Sequence, residues 1–547
     1  MSTLKSIYFY FLAAQISFIK SIKKIYYTTN IYNKSLISKT PQQFFFHPNP
    51  FLLNLISTYK KNLFRISDID LNNFWIKQKN IYEEKRLHSF MWLGLVDRKS
   101  ESKHIQKIIN VWILKNSKYT KNIWDNSLMS RRIISWIMCS DIITNNCSFD
   151  FKRNFMGSMI SQINHLKSNI KFERDYSTKL EIITTLILSG LVFKEYKNNF
   201  NFGVKELEKL IKNYFDYDGF PLSRNPSELV FFLKFLILIK ECIQDAQEYI
   251  PDFINDMVEK CLFCLKTIIT PNNQVPLFNG GTEENLTILD EYFDKSTIDI
   301  NNKKVVGGIQ VLKNKNNKVF IDVGGPPNKS YSNSYQSAPL SFEYYLDNQK
   351  IITNCGFGHK ISAKAELLSR LTSAQTTIII NDTSVTKFER NKLINKVFGN
   401  SIKNTFKINR SDLFNDKNKI STVASHNGYE KKYGCTLKRE IFIDKNSSEI
   451  KGIDEILKTK DGKPINYNIR FHLYPGLNAV KTMSGNSVLI QISKNKSLIF
   501  QTSEDSILLE KSIFLGRNKI LDNTCISISG NLVNKDKVIH WKIKKNI

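Results

Sequence analysis

Two different periods of hydrophobic repetition divide the chain. From about Asn72 to Phe293 apolar residues recur at three and four positions, as in RRIISWIMCSDII and ELVFFLKFLILIKECI, and such blocks return every few tens of residues. That spacing predicts a run of helices. Several blocks, the stretch Thr178 to Phe193 among them, are apolar on most faces, so they are expected to pack as helical hairpins in layers. After about Asp299 the pattern changes to short alternating runs, GGIQVLK, NKVFIDVGG, TTIIIND, EIKGIDEIL, SVLIQIS, KSLIFQTS and CISISGNLV, separated by Asn, Gly, Lys and Asp clusters. About fifteen such strands fit two antiparallel sheets packed face to face better than one open sheet. The polar DKSTIDINNKK near residues 294–304 marks the boundary, giving an N-terminal extension over 1–70, a helical block over 71–298 and a sheet block over 299–547.

A chain of 547 residues exceeds one ordinary core. Its 37 Phe and 22 Tyr exclude a mostly disordered polymer. The formal charge of +29, from 79 Lys and Arg against 50 Asp and Glu, attracts polyanions: nucleic acids, acidic polysaccharides and anionic membranes. Lys, Asn and Ile are abundant throughout and no basic run dominates one segment, so a compositional origin of the charge stands beside a functional one. With no RNP strand, zinc finger or helix-turn-helix pattern, nucleic acid is not the expected partner. Eight cysteines lie scattered, without the density of a disulfide framework. Cys261 and Cys264 form a C-x-x-C, but in CLFCLKTII they sit at apolar helical spacing with no second pair following, which favours core packing over metal or redox work. At the N-terminus the apolar stretch Ile7 to Ile19 is too short to span a bilayer, and no convincing small-residue cleavage site follows it. A poor signal sequence and an amphipathic helix lying on a membrane or on the helical block, with Lys20, Lys23 and Lys24 directly after it, are both open.

Motifs narrow the field. The helical block carries LHSFMWL (87–93), WDNSLMSRRIISW (124–136), NHL (164–166), DGFPLSRNPSEL (218–229) and PLFNGG (276–281). The sheet block carries GGIQVL (307–312), FIDVGGPP (320–327), APLSFEYYLDNQKIITNCG (338–356), SRLTSAQTTIIINDTS (369–384), SHNGYEKKYG (425–434) and RFHLYP (470–475). In that order they resemble the heparinase II/III-like family. The resemblance implies an α+β multidomain fold, an (α/α) toroid followed by an antiparallel β-sandwich, with a cleft between them that binds acidic, uronic-acid-containing glycans such as glycosaminoglycans and cleaves them by β-elimination. The alternative it leaves open is a catalytically degenerate protein that binds glycan or assists envelope polysaccharide assembly. It places the chain in the cell envelope, periplasmic or membrane-associated, with the cytoplasm as the alternative.

Elimination at a uronide needs a group to neutralise the carboxylate, a base for the proton beside it and an acid for the leaving oxygen. Asn, Gln or Arg suits the first task and Tyr or His the others. The family's lyases usually place His at the start of the motif that here reads QSAPLSFE and again where this chain reads SAQTT; these positions are Gln336 and Gln375. An amide donates to a carboxylate but is no base, so the alternative gains weight. No cofactor is firmly implied, and structural zinc or calcium is unsupported, since zinc at these positions would want imidazoles. The remaining candidates for acid and base are His165, Tyr176, Tyr335, His426 and His472, with Tyr474 beside them. Each has a plainer reading: His165 as a hydrogen-bonded core residue, Tyr176 as part of a turn into a helix, and His472 as a strand residue facing the inner sheet. Substrate would be held by Arg132, Arg224, Asn225, Gln336, Gln375 and Arg470. Asn225 equally suits a helix cap before Pro226. Arg131 and Arg132 are consecutive, so only one can line a cleft. Glu343 is expected to orient the site or pair with Arg370.

Overall fold

The computed structural model describes residues 2–57, 75, 81–97, 102–296, 305–460, 464–533 and 535–546. Most of the boundary expected at 294–304 and of the segment 58–80 falls outside them. By its internal contacts the chain forms two units, residues 1–214 with 230–259, and residues 215–229 with 260–547.

The first unit is helical, and its helices start where the sequence supplies an acceptor. Asp125 accepts from the Leu128 amide (3.2 Å) at the head of Asn126–Met138, Ser148 from Phe151 (3.2 Å) at the head of Phe149–Asn169, and Asp175 from Thr178 (2.8 Å) at the head of Tyr176–Val192. Each satisfies a first-turn N–H that has no helical partner. Every residue from Leu180 to Val192 is buried, which accounts for the apolar character of that segment on all faces. A Cβ on Gly190 would lie 2.2 Å from the Phe200 nitrogen, so only glycine lets Tyr176–Val192 approach Lys197–Tyr214 this closely. Trp112, Trp136 and Phe90 pack edge to face at 5.2–5.7 Å in the core of this unit.

In the second unit the alternating runs become seventeen strands among the described residues, every pair antiparallel. One sheet orders Val305–Val306, Ile309–Lys313, Asn317–Asp322, Phe342–Leu346, Gln349–Thr353, Ile465–Leu473, Leu521–Leu532 and Leu508–Phe514, with Ile378–Ile380 also paired to Ile465–Leu473. The other orders Asn478–Lys481, Ser487–Ser493, Lys496–Thr502, Lys537–Lys545, Ile450–Lys458, Cys435–Asp444, Lys419–His426 and Ile408–Asn415. Cys435–Asp444 alternates strictly between buried and half-buried positions, the signature of a strand with one face in a core. Between the sheets Phe342 stacks on Trp541 (5.4 Å) and Phe471 meets Phe500 (4.8 Å).

A buried ion pair crosses this core. Arg439 and Asp454, both fully buried, pair at 2.6 and 3.0 Å on neighbouring strands of the second sheet. The remaining guanidinium nitrogen donates to the carbonyls of Leu340 and Thr376, which flank strands of the first sheet, both at 2.9 Å. Trp541 Nε1 donates to Asp454 Oδ2 at 3.0 Å, and Gly452 leaves room for the indole, since a Cβ there would lie 2.1 Å from it. Asp454→Ala would strand a guanidinium in the core and is expected to lower stability by about 3–5 kcal/mol. The double change Arg439→Met with Asp454→Leu should cost less than that single one. Chemical denaturation followed by tryptophan fluorescence measures both.

Candidate functional site

Gln336 is the hub of a buried polar array in the second unit. Its Oε1 accepts from the Gly280 amide (3.0 Å), and its Nε2 donates to the carbonyls of Gly356 (3.0 Å) and Ser369 (2.7 Å). Gln375 donates to the same Ser369 carbonyl (2.7 Å), and the Cys355 thiol stands 3.7 Å from it. On the Gly280 side lie Asn279, whose amide donates to Asp322 (3.4 Å), and Arg224, which is ion-paired with Asp322. Arg224 also donates to the carbonyls of Gly307 (2.9 Å), Gly324 (3.0 Å) and Gly325 (2.8 Å), leaving little capacity for an anionic ligand. Asn225 accepts from the Ser227 amide (2.9 Å) and so does cap the helix Pro226–Asp245. Tyr335 is buried within the field of Asp322, Arg224 and Arg370, and burial pushes its hydroxyl well above the ordinary range.

The structure therefore brings Arg224, Asn225, Tyr335, Gln336 and Gln375 into one neighbourhood. His472 joins it at the edge: its amide donates to Thr376 Oγ1 (3.2 Å), and its Nδ1 is 3.0 Å from Ser512 Oγ. Burial lowers its imidazole to about 3. Arg470, on the same strand, pairs with Glu510 at 2.8 Å. His426 lies in the other sheet, where burial likewise lowers it to about 3, its Nδ1 accepting from the Gly428 amide (3.1 Å) and its ring beside Phe406. In the helical unit His165 is lowered by burial to about 4, with Nδ1 2.7 Å from the Tyr32 hydroxyl and its ring among Tyr27, Tyr119 and Trp124. Arg132 is wholly buried, donating to Gln162 and to the carbonyls of His88 and Ile123 at 2.8–3.1 Å over the Trp112 ring. Its neighbour Arg131 faces the other way and pairs with Glu181 at 2.7 Å. Tyr176, half-buried in a helical first turn, stacks on Tyr214 at 4.3 Å.

A second group was missed in the sequence, although most of its members lie inside quoted motifs or next to them. Lys350 is buried between Glu343 (3.0 Å) and Glu283 (3.7 Å), and Glu283 is shared with Arg517 (2.8 Å) and the Tyr474 hydroxyl (3.1 Å). Glu343 thus pairs with Lys350 rather than with Arg370, whose guanidinium is taken by the carbonyls of Tyr335, Asn400 and Ser332. The only hint was an isolated lysine in a strand motif, LDNQKIIT. Lys350 and Tyr474 line a cavity of about 400 Å³ that also takes in Asn272, Asp347, Asn348 and Gln349. An aromatic ring and several amides together suit a hydroxyl-rich ligand.

Metal chemistry does not fit the array. Gln336 and Gln375 turn amide N–H groups inward, and an amide N–H offers no lone pair to a metal. Among the described residues no three His, Cys, Asp or Glu side chains cluster to hold a metal. Cys261 and Cys264 are buried thiols donating to the carbonyls of Gly219 and Asp218.

Residues 302–542 match the family model described as heparinase II/III-like, C-terminal. This part of the chain is a heparinase II/III-like domain. The whole chain is similar to solved structures of that kind. Heparinase III has a TM-score of 0.65 at 13% identity, covering 97% of this chain and 91% of that one. A heparan sulfate lyase variant from Pedobacter heparinus has 0.64 at 14%, covering 90% and 82%. These likenesses show the fold, a helical toroid followed by an antiparallel β-sandwich. The FtsZ-localized protein C of Caulobacter vibrioides is 20% identical over 488 residues, 84% of this chain and 81% of that protein. Within this domain Gln336 and Gln375 act as cross-braces.

Gln336→Leu would orphan the Gly280 amide and take one donor from each of the Gly356 and Ser369 carbonyls, which keep Cys355 and Gln375, and is expected to cost about 1–3 kcal/mol, read by denaturant unfolding. A chelator should leave the melting temperature of the untreated protein unchanged. For the histidines, the folded state holds the neutral ring, so unfolding takes up protons between the ordinary value of 6.5 and the lowered one. The stability they contribute is full above pH 6.5 and is lost as the pH falls towards 4, by at most about 1.4 kcal/mol per pH unit for each ring. Thermal melts across that range should show a flatter dependence in His165→Gln than in the unmodified chain.

Proposed function

We propose that this protein binds an acidic, uronic-acid-containing polysaccharide on a lyase-derived fold that no longer carries out elimination. One observation carries the reading: His165, His426, His472 and Tyr335 are all buried, the imidazoles held neutral and the phenol held protonated by that burial. A base must come within hydrogen-bond reach of the proton it removes, and these groups are committed to the interior. Gln336 and Gln375 point the same way, since neither can take a proton. The substrate class is supported by the names of the structures sharing the fold, a heparan sulfate lyase and a heparinase, by the +29 charge and by the cavity at Tyr474 and Lys350.

The envelope is the proposed location, with the cytoplasm as the alternative. Among the described residues no helix is long and apolar enough to cross a membrane. The name of the Caulobacter relative associates that protein with FtsZ, which favours a site of action near the membrane. A second reading, a working lyase, rests on Tyr176 and Tyr474, the candidate acids or bases that are only half-buried.

Calorimetric titration against a panel of acidic polysaccharides, run beside an absorbance assay for unsaturated uronide, separates the two. Binding that weakens with salt, with no absorbance rise, is the expected result, and Tyr474→Ala should weaken it by about ten-fold. An absorbance rise abolished by Tyr176→Phe would make the protein a lyase instead.

A further inference from the structure

The helix Ser2–Tyr27 rests one side on the body of the helical unit. Ala13 is fully buried, Phe9, Leu12 and Ile16 are half-buried, and Tyr27 is hydrogen-bonded to Asn169. On the other side Ile7, Phe11, Phe18, Ile22 and Ile25 recur at intervals of four, seven, four and three. This spacing is one straight stripe along a helix. The stripe is bare, with exposures of 51, 68, 67, 50 and 71%. Lone exposed apolar residues need no explanation, but five in register on one face do.

Charge indicates what covers them. The helix contains Lys5, Lys20, Lys23 and Lys24 and no acidic residue. Nine Lys or Arg and no Asp or Glu precede Asp68 in the chain. Lys20 and Lys24 are exposed, while Lys23 reaches over the Phe172 ring. A sugar polymer would meet the cations but gain nothing from a stripe of Phe and Ile. A second copy of the chain would match the stripe but bring the same unbalanced positive charge against it. An anionic lipid surface satisfies both features, because the apolar side chains enter the boundary of the acyl region while the lysines stay at the headgroups.

We propose that Ser2–Tyr27 is an interfacial helix that docks this protein, through the Ile7–Ile25 stripe, on the surface of an anionic membrane without crossing it. The inference deepens the envelope location proposed above and is independent of the glycan reading, because its test contains no glycan. The test is flotation of the full-length protein with phosphatidylcholine vesicles, with and without phosphatidylglycerol. The unmodified protein should float with the anionic vesicles and stay largely unbound with the neutral ones. Phe18→Gln with Ile22→Gln, both at exposed positions, should weaken binding by about ten-fold or more. Lys20→Gln and Lys24→Gln should each weaken it by about five-fold at low salt, with little effect at high salt. Circular dichroism and melting temperature like those of the unmodified chain would show that these variants are folded. Failure of the unmodified protein to bind anionic vesicles, or unchanged binding by Phe18→Gln with Ile22→Gln, would overturn the proposal. So would a dimer in light scattering that the same double variant dissociates, which would assign the stripe to a second copy.

Discussion

A charge pair sealed inside a sandwich must be satisfied on every side, because desolvating the two ions costs more than their attraction returns unless further hydrogen bonds complete the set. Arg439 and Asp454 meet that condition through two strand neighbours, two carbonyls from the opposite layer and an indole N–H. The consequence is geometric. The Leu340 and Thr376 carbonyls are held against the second sheet, and the segments that carry them, 335–341 and 369–377, contain Tyr335, Gln336 and Gln375. The pair thus ties the segments that carry the polar array to the second sheet.

Within that frame the glutamines do a different job from the histidines expected of the family. Each amide braces the Ser369 carbonyl, and Gln336 also ties the Gly280 loop to the Gly356 turn. An imidazole can accept a proton or a metal; an amide N–H can do neither. Burial acts in the same direction on His165, His426 and His472, whose neutral rings are part of the packing rather than a reserve of proton acceptors. The Tyr474 cavity is open to solvent, with the compensated cluster of Lys350, Glu343, Glu283 and Arg517 behind it. Two lysyl and arginyl charges against two carboxylates leave no net field of their own, so a ligand there would be recognised by shape and hydrogen bonds as much as by charge.

Much was legible in the chain itself. The change of hydrophobic period located helices and strands because both depend on local spacing: EIKGIDEIL, SVLIQIS and KSLIFQTS all lie in strands, and Thr178 to Phe193 is nearly coincident with a buried helix. The ordered motifs pointed to the heparinase II/III-like domain, and Gln336 and Gln375 were visible as departures from it. Asn225 as a helix cap was legible too, since capping needs only a side chain and the amide two residues on.

What the tertiary structure decided was the assignment of partners among charged and polar residues distant in sequence. Arg131 and Arg132 are indistinguishable as letters, yet one pairs with Glu181 and the other is buried under carbonyls. Glu343 took Lys350 and left Arg370 to three carbonyls, and Arg224 was drawn to Asp322, some hundred residues away. Periodicity reports how each residue faces along its own element, so the sequence alone determined the elements and their order. Electrostatic pairing and burial depend on which elements come to lie side by side, and only the folded chain settled those.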